Sequence, residues 1–345
     1  MRAARFHGRE DLRIEQVEEP RPAADEVKLR VRYNGLCGSD LHEYYHGPIT
    51  TRTTPHPLTG ISNPVIMGHE LSGEIVEVGA QIEGLAVGDL VAVEPVQTCG
   101  HCLYCSDGQY NHCGQLAFHG YNRAGGGLAE YTCVRQSMAH RLPAGMTALQ
   151  GALIEPMAIS RRTAERCQAQ AGQTVVVHGA GPIGVGIFLL LRSWGARVIV
   201  SDPSPLRRGV LAGLGARELL DPAAVDVVSA IKDLTGGRGA PISVDAAGVP
   251  AAFAAALRGT AVGGRCIVVA IHTHTIEIPP MELLMSEVQV SGIALSCNTF
   301  PATIADMAAG VFPSDSWVQQ IALEDVVAGF GRLQRQEAMK LLVAL

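Results

Sequence analysis

A chain of 345 residues, 47% hydrophobic and 17% charged, exceeds one ordinary core, suits two domains and is too apolar to be disordered. Its net charge of −6, with scattered basic residues, gives no electrostatic basis for a nucleic-acid or anionic-membrane partner. The N-terminal stretch MRAARFHGREDLRIEQVEEP breaks every apolar run with charges, unlike a signal peptide, and apolar stretches such as residues 183–191 fall far short of a bilayer span. A cytoplasmic protein is expected, its nine cysteines reduced.

Residues 1 to about 150 read as short strands. EVKLRVRYNGLC alternates apolar and polar residues, and so does LSGEIVEVGAQIEGLAVGDLVAVEPV, punctuated by glycines 73, 79, 84 and 88 at turn spacing. Cys37 lies in GLCGSDLHEYYHG, and His69 with Glu70 in VIMGHELSG. Taken alone, Cys37 reads better as a buried structural thiol and His69 as a core histidine. Ser39 and His42 come two and five residues after Cys37. A hydroxyl and an imidazole so placed can pass a proton; equally, Ser39 can cap a helix beginning at Asp40, with His42 facing solvent.

Within about residues 95–115, CGHCLYCSDGQYNHC places Cys99, Cys102, Cys105 and Cys113 with two, two and seven residues between successive sulfurs. Four thiolates this close can close a tetrahedral shell around Zn²⁺ with no position left for substrate. Gly100, Gly108 and the polar Ser106 and Asp107 allow the bends. Cysteines two residues apart make poor disulfide partners for one another. Such a zinc is structural, so chemistry has to come from elsewhere.

From residue 153 the period changes. Residues 174–178 (TVVVH) form a continuous apolar run typical of a buried parallel strand. A helix is expected over 184–194, then strands at 197–201, 242–245 and 265–270. Two amphipathic helices, near 301–310 and 323–334, precede a last strand at 339–343. Strand–helix–strand alternation predicts a doubly wound parallel sheet, residues 153–292, inserted in a discontinuous, mainly β domain of residues 1–152 and 293–345. Residues 287–295 (EVQVSGIAL) read as an edge strand able to pair with a symmetry mate, or equally as an interior strand.

The turn after residue 178 is GAGPIG. Gly179 permits a sharp turn, Gly181 lets a pyrophosphate approach the backbone, and Gly184 lets the helix pack close to the sheet. Pro182 and Ile183 open that helix, whose N-terminal amides and dipole suit phosphates. Asp202, 21 residues beyond Gly181, can accept from both ribose hydroxyls and would repel a 2′-phosphate, which predicts NAD rather than NADP. Arg207 and Arg208, close behind, pull the other way.

Glu155, in LIEPMAIS, completes a thiolate, an imidazole and a carboxylate with Cys37 and His69, though no spacing rule joins residues so far apart. The stretches GLCGSDLHEY, MGHELSGEIVEVG, VGDLVAVEP, the four-cysteine lobe, GGGLAEYTCV, LIEPMAIS, GAGPIG and KLLV resemble the zinc-containing medium-chain alcohol dehydrogenases from end to end. The resemblance implies a GroES-like catalytic domain, a Rossmann domain and two Zn²⁺ per chain. It also implies a catalytic zinc on Cys37, His69 and Glu155, Glu70 as an alternate ligand or its neighbour, and Ser39 with His42 as a proton relay. CGSDLHEYYHGPI, HPLTG and FHGYNRAGGGLAEY look most like the butanediol dehydrogenases of the polyol branch. The segment TTRTTPHPLTGISN corresponds to loops that shape the substrate mouth, and His272, Thr273 and His274 depart from the family pattern. The resemblance therefore implies an NAD-dependent dehydrogenase of small vicinal diols and hydroxyketones, a homodimer or homotetramer. The alternatives are a sorbitol, xylitol or threonine dehydrogenase, and a nucleotide-binding protein that has lost the chemistry.

Overall fold

Two kinds of sheet divide the chain. The computed structural model describes residues 1–345 and separates into one unit of Met1–Glu155, Ser296–Ala309 and Trp317–Leu345 and a second of Pro156–Leu295 and Gly310–Ser316. The division falls inside the helix Ile154–Cys167, later than the expected 152/153, and residues 310–316 join the second unit. Periodicity marks where a helix starts; contacts decide which core its residues join.

In the first unit the alternating stretch Glu26–Gly35 is a central strand of a seven-stranded sheet. It pairs antiparallel with Glu70–Val78, Tyr131–Arg135 and Lys340–Ala344. Its inward residues Val27, Leu29 and Val31 pack with Leu71, Ile75, Val91, Val93, Val134 and Met138, each burial contributing about 1.5–3 kcal/mol. The register sets Gly35 opposite both Glu70 and Leu342. Cys37 therefore leaves one strand end where His69 enters the next. A Cβ at Gly35 would lie 2.0 Å from Glu70 Oε2, so this close approach requires glycine.

The helix Gly38–His46 starts at once, with Cys37 as its N-cap: the Cys37 N–H donates to Asp40 Oδ2 at 3.0 Å. Ser39 is thus inside the first turn and does not cap a helix beginning at Asp40. The expected terminal elements are present as Phe300–Ala308, Val326–Gln334 and Lys340–Ala344. Sequence patterning passed over Val318–Ala322, which lies parallel to the last strand; its polar, half-exposed VQQIA carries little alternation.

The second unit is an all-parallel six-stranded sheet. Its order is Glu218–Leu220, Arg197–Ser201, Thr174–His178, Ala240–Asp245, Thr260–Val268 and Gln289–Gly292, the dinucleotide-fold order with its switch beside Thr174–His178. The helix after the glycine turn is Pro182–Ser193, with Gly181 as N-cap. It begins two residues before the expected start because proline suits the first helical position. Gln289–Gly292 is at the sheet edge, which removes the interior-strand alternative. No helix is long and apolar enough to cross a membrane.

Candidate active site, zinc lobe and nucleotide turn

In the first unit, one ligand atom each from Cys37, His69 and Glu70 lie within 4.8 Å of one another. Cys37 is half-buried, while His69 and Glu70 are buried. Glu70 is held by the Lys340 ammonium, which also donates to Leu36 O at 2.9 Å; Lys340 is 1% exposed, so the pair is internal. Glu155 falls outside the triplet but feels it. Burial raises its pKa to about 7, the Glu70 and Asp40 carboxylates adding to the rise and His69 and Lys340 opposing it.

His69 Nδ1 lies 3.3 Å from Asp40 Oδ1 without an aligned hydrogen bond, and Nε2 lies 3.4 Å from Ser39 Oγ. Burial opposes charge on His69, but Asp40 and Cys37 hold its pKa well above the ordinary value. Asp40 is fully buried, and despite that burial His69, the Cys37 N–H and Tyr121 keep its carboxyl below the ordinary value. The donor set fits a zinc ion: a thiol, a buried carboxylate pair, and an imidazole with one nitrogen set against a carboxylate, the arrangement that orients zinc-bound histidines.

Tyr121, 3% exposed, stands beside this cluster, its hydroxyl 3.0 Å from Ser39 Oγ and 2.9 Å from Asp40 Oδ1. Its ring centroid is 5.2 Å from that of His69. Sequence reasoning missed Asp40, Tyr121 and Lys340 as parts of the site: each is inside a family-like stretch, but no spacing links them. His42 is on the same helix as Ser39, half-buried, with its pKa lowered by burial and by His46. No hydrogen bond joins it to Ser39.

The four lobe cysteines also bring their sulfurs within 4.8 Å of one another, and all are free of disulfides. Their separations are 3.5 Å for Cys102–Cys105, 3.6 Å for Cys113–Cys99 and 3.9 Å for Cys99–Cys105. A tetrahedron with Zn–S near 2.3 Å requires about 3.8 Å between sulfurs. Backbone N–H groups of His101 and Cys102 lower the Cys99 pKa to about 6, which favours the thiolate a metal needs.

In the second unit Gly179 has φ +104°, in the left-handed region, and a Cβ at Gly184 would lie 1.9 Å from Gly179 O. Gly181 faces open space. Asp202, 2% exposed, closes this turn: Oδ2 accepts from Ala180 N at 2.7 Å and Oδ1 from Ser204 N at 2.8 Å. Arg208 is engaged by Asp221 and by the Asp202 carbonyl. Arg207 Nη1 is 3.6 Å from Asp202 Oδ2, and its buried Nε has no partner. His272 pairs with Asp245 Oδ2 at 2.6 Å. A cavity of about 890 Å³ at the opposite, N-terminal sheet edge is lined by Arg197, Arg238 and Arg265. There Arg197 is paired to Glu218 and donates to Leu234 O at a helix end.

Residues 23–144 match the family model of the alcohol dehydrogenase GroES-like domain, and residues 182–309 that of the zinc-binding dehydrogenases. The chain is 39% identical to (R,R)-butanediol dehydrogenase of Bacillus subtilis (strain 168) over 350 residues, covering 99% of each protein. It is 33% identical to sorbitol dehydrogenase of the same organism, with 99% of this chain and 97% of that protein covered. The crystal structure of 2R,3R-butanediol dehydrogenase from Bacillus subtilis superposes with a TM-score of 0.93 at 38% identity, covering 100% of this chain and 99% of that one. With two family models in tandem and relatives matching end to end, this chain belongs to the zinc-containing medium-chain alcohol dehydrogenases.

Proposed function

We propose that the chain transfers hydride between NAD and a small vicinal diol or its hydroxyketone, (R,R)-2,3-butanediol and acetoin above all. The observation that carries this reading is the half-buried Cys37 beside buried His69 and Glu70, with the Ser39 hydroxyl at their edge. It is supported by full-length similarity to a butanediol dehydrogenase.

Cys37, His69 and Glu155 would hold the catalytic zinc. Glu70 already has the Lys340 ammonium as its counter-charge, whereas burial drives Glu155 toward the neutral acid, a tendency that a nearby divalent cation reverses. When bound, the metal supplies a Lewis acid that polarises the alcohol oxygen and eases loss of its proton. Ser39 accepts that proton, and His42, one turn along the helix and without a direct hydrogen bond to Ser39, receives it through a bridging water and hands it toward solvent. Cys99, Cys102, Cys105 and Cys113 would hold a second zinc, which would stabilise the lobe. In the second unit Gly179, Gly181, Pro182, Ile183 and Gly184 receive the pyrophosphate. Asp202 binds the adenosine ribose, with Arg207 flanking it, and disfavours NADP. The edge strand Gln289–Gly292 supports a homodimer or homotetramer, which sedimentation would test against a monomer at micromolar concentration.

The deciding experiment is a turnover screen of zinc-loaded protein with NAD and with NADP. Its substrates are the separated stereoisomers of 2,3-butanediol, sorbitol, xylitol and threonine. Highest kcat/KM with the (R,R)-diol and NAD is expected. Faster sorbitol turnover would transfer the chain to the sorbitol-type polyol dehydrogenases. No turnover with any substrate would leave a nucleotide-binding protein without this chemistry.

A further inference from the structure

At the carboxyl end of the parallel sheet one residue fastens two loops at once. Asp245, fully buried, ends the strand Ala240–Asp245. Its Oδ1 accepts from Ala247 N at 3.0 Å and Gly248 N at 3.2 Å, in the loop that follows its own strand. Its carbonyl accepts from Val269 N at 3.0 Å and Ala270 N at 3.2 Å, in the loop after the neighbouring strand Thr260–Val268. His272 Nε2, 2.6 Å from Asp245 Oδ2, adds a side-chain tie from that second loop. This tie is the last in the loop, since no hydrogen bond holds residues 273–278. The loops also meet through their backbones. A Cβ at Gly179 would lie 2.8 Å from Ala246 O, and one at Gly248 would lie 2.6 Å from Ile271 O. The GAGPIG turn, residues 246–248 and residues 269–272 are therefore packed edge to edge, with no room for a side chain between them.

We infer that His272 is a positioning residue for the nicotinamide half of the cofactor: through Asp245 it fixes the loop wall that receives that half. The inference rests on the proposed seating of the pyrophosphate at residues 179–184 and of the adenosine ribose at Asp202. Asp202 follows the strand Arg197–Ser201, on one side of Thr174–His178. A dinucleotide lies across the carboxyl ends of the strands at the switch point. Its other half therefore belongs to the strands on the opposite side, Ala240–Asp245 and Thr260–Val268, and the loops after them are the two that Asp245 joins. His272 has no atom free for the cofactor itself. Its Nε2 is taken by Asp245, its Nδ1 is buried, and its ring stands edge-on to Phe253 in the helix Pro250–Gly259, with 5.9 Å between centroids. It acts through the backbone of residues 269–272, which the tie orders before any cofactor arrives. Without the tie, the cost of ordering that loop falls on cofactor binding.

His272→Asn and His272→Gln separate this role from mere bulk. Both introduce an amide donor, but only the glutamine amide reaches as far from the backbone as imidazole Nε2. Calorimetric titration of the full zinc-loaded chain with NADH and with AMP reads the whole cofactor against its adenine half. His272→Asn should weaken NADH by about 3- to 10-fold, the span of one ordinary hydrogen bond, and leave AMP unchanged. The emission of bound nicotinamide should move toward that of free NADH. His272→Gln should restore both. The inference is overturned by equal weakening of NADH and AMP, by unchanged NADH affinity in His272→Asn, or by a His272→Gln no better than His272→Asn. Amide exchange of the wild-type chain tests the same point with no variant. NADH should slow exchange across residues 246–248 and 269–272 together, and AMP should slow neither; protection by NADH confined to the GAGPIG turn overturns the inference. Wild-type protein that binds neither ligand removes the nucleotide reading, and this inference with it. Binding of both ligands, with the two variants unchanged, removes this inference alone.

Discussion

The four-cysteine lobe and the Cys37 cluster are both sets of metal-ligand side chains, yet the chain builds them in opposite ways. The lobe takes every sulfur from one stretch between Cys99 and Cys113, bent by Gly100 and Gly108 at φ +79° and +71°. Three of its four cysteines are only partly buried. The cluster takes its members from the ends of strands paired across the sheet, and partners from other segments hold His69 (Asp40), Glu70 (Lys340) and the adjoining Ser39 (Tyr121). A set closed on itself leaves no ligand position for substrate. A set whose polar atoms are held from behind by buried neighbours keeps its front free for chemistry.

That contrast breaks first if the two sets respond alike to loss of one thiol. Cys37→Ser should drop turnover below detection and remove one zinc, with circular dichroism and the melting temperature near wild type. Ser39→Ala should lower kcat by about 10²- to 10⁴-fold, the range of general acid–base catalysis. Near-normal kcat from pH 6 to 10, a span that roughly brackets the relevant titrations, would place the proton acceptor elsewhere. Cys99→Ser should instead cost about 4 kcal/mol or more of stability, as metal loss does, while folded protein retains its turnover. Lost turnover with unchanged stability would reverse the assignment of the two sites.

The nucleotide turn sharpens the comparison, because its motif is local but its support is not. His178, buried at the end of the strand before the turn, has its pKa lowered to about 4 by burial, with Asp245 opposing the shift. The unfolded chain, with an ordinary histidine near 6.5, binds the proton more readily. This contribution to stability is therefore complete above pH 6.5 and shrinks as pH falls toward 4, a loss of about 3 kcal/mol. Urea unfolding at pH 7 and 4.5 should show the loss, and His178→Asn should flatten it. Asp202→Ala should raise KM for NAD by roughly 10- to 100-fold, the size of hydrogen bonds to a charged group. It should also relax discrimination against NADP, since it frees Arg207. Wild-type protein already using both cofactors equally would show that Asp202 serves only to close the turn through Ala180 and Ser204.

How much the sequence alone determined depends on the range of the interactions. Local spacing and periodicity mark the four-cysteine lobe, the GAGPIG turn with Asp202, the strands Thr174–His178 and Arg197–Ser201, and the β-to-α/β change of pattern. Each depends on neighbours within one or two turns of chain. Short strands with little apolar content, Glu218–Leu220 and Val318–Ala322, escape because neighbouring strands, not their own residues, make them strands. Cys37, His69, Ser39 and Glu155 are identified through family resemblance. The grouping of Glu70 with Cys37 and His69, the Lys340 ammonium behind it, and Tyr121 facing Ser39 and Asp40 depend on tertiary structure alone. Their sequence separations reach 270 residues, from Glu70 to Lys340. Only strand register and side-chain packing decide which buried charges end up neighbours at such distances, and a polar atom removed from water must find its partner there.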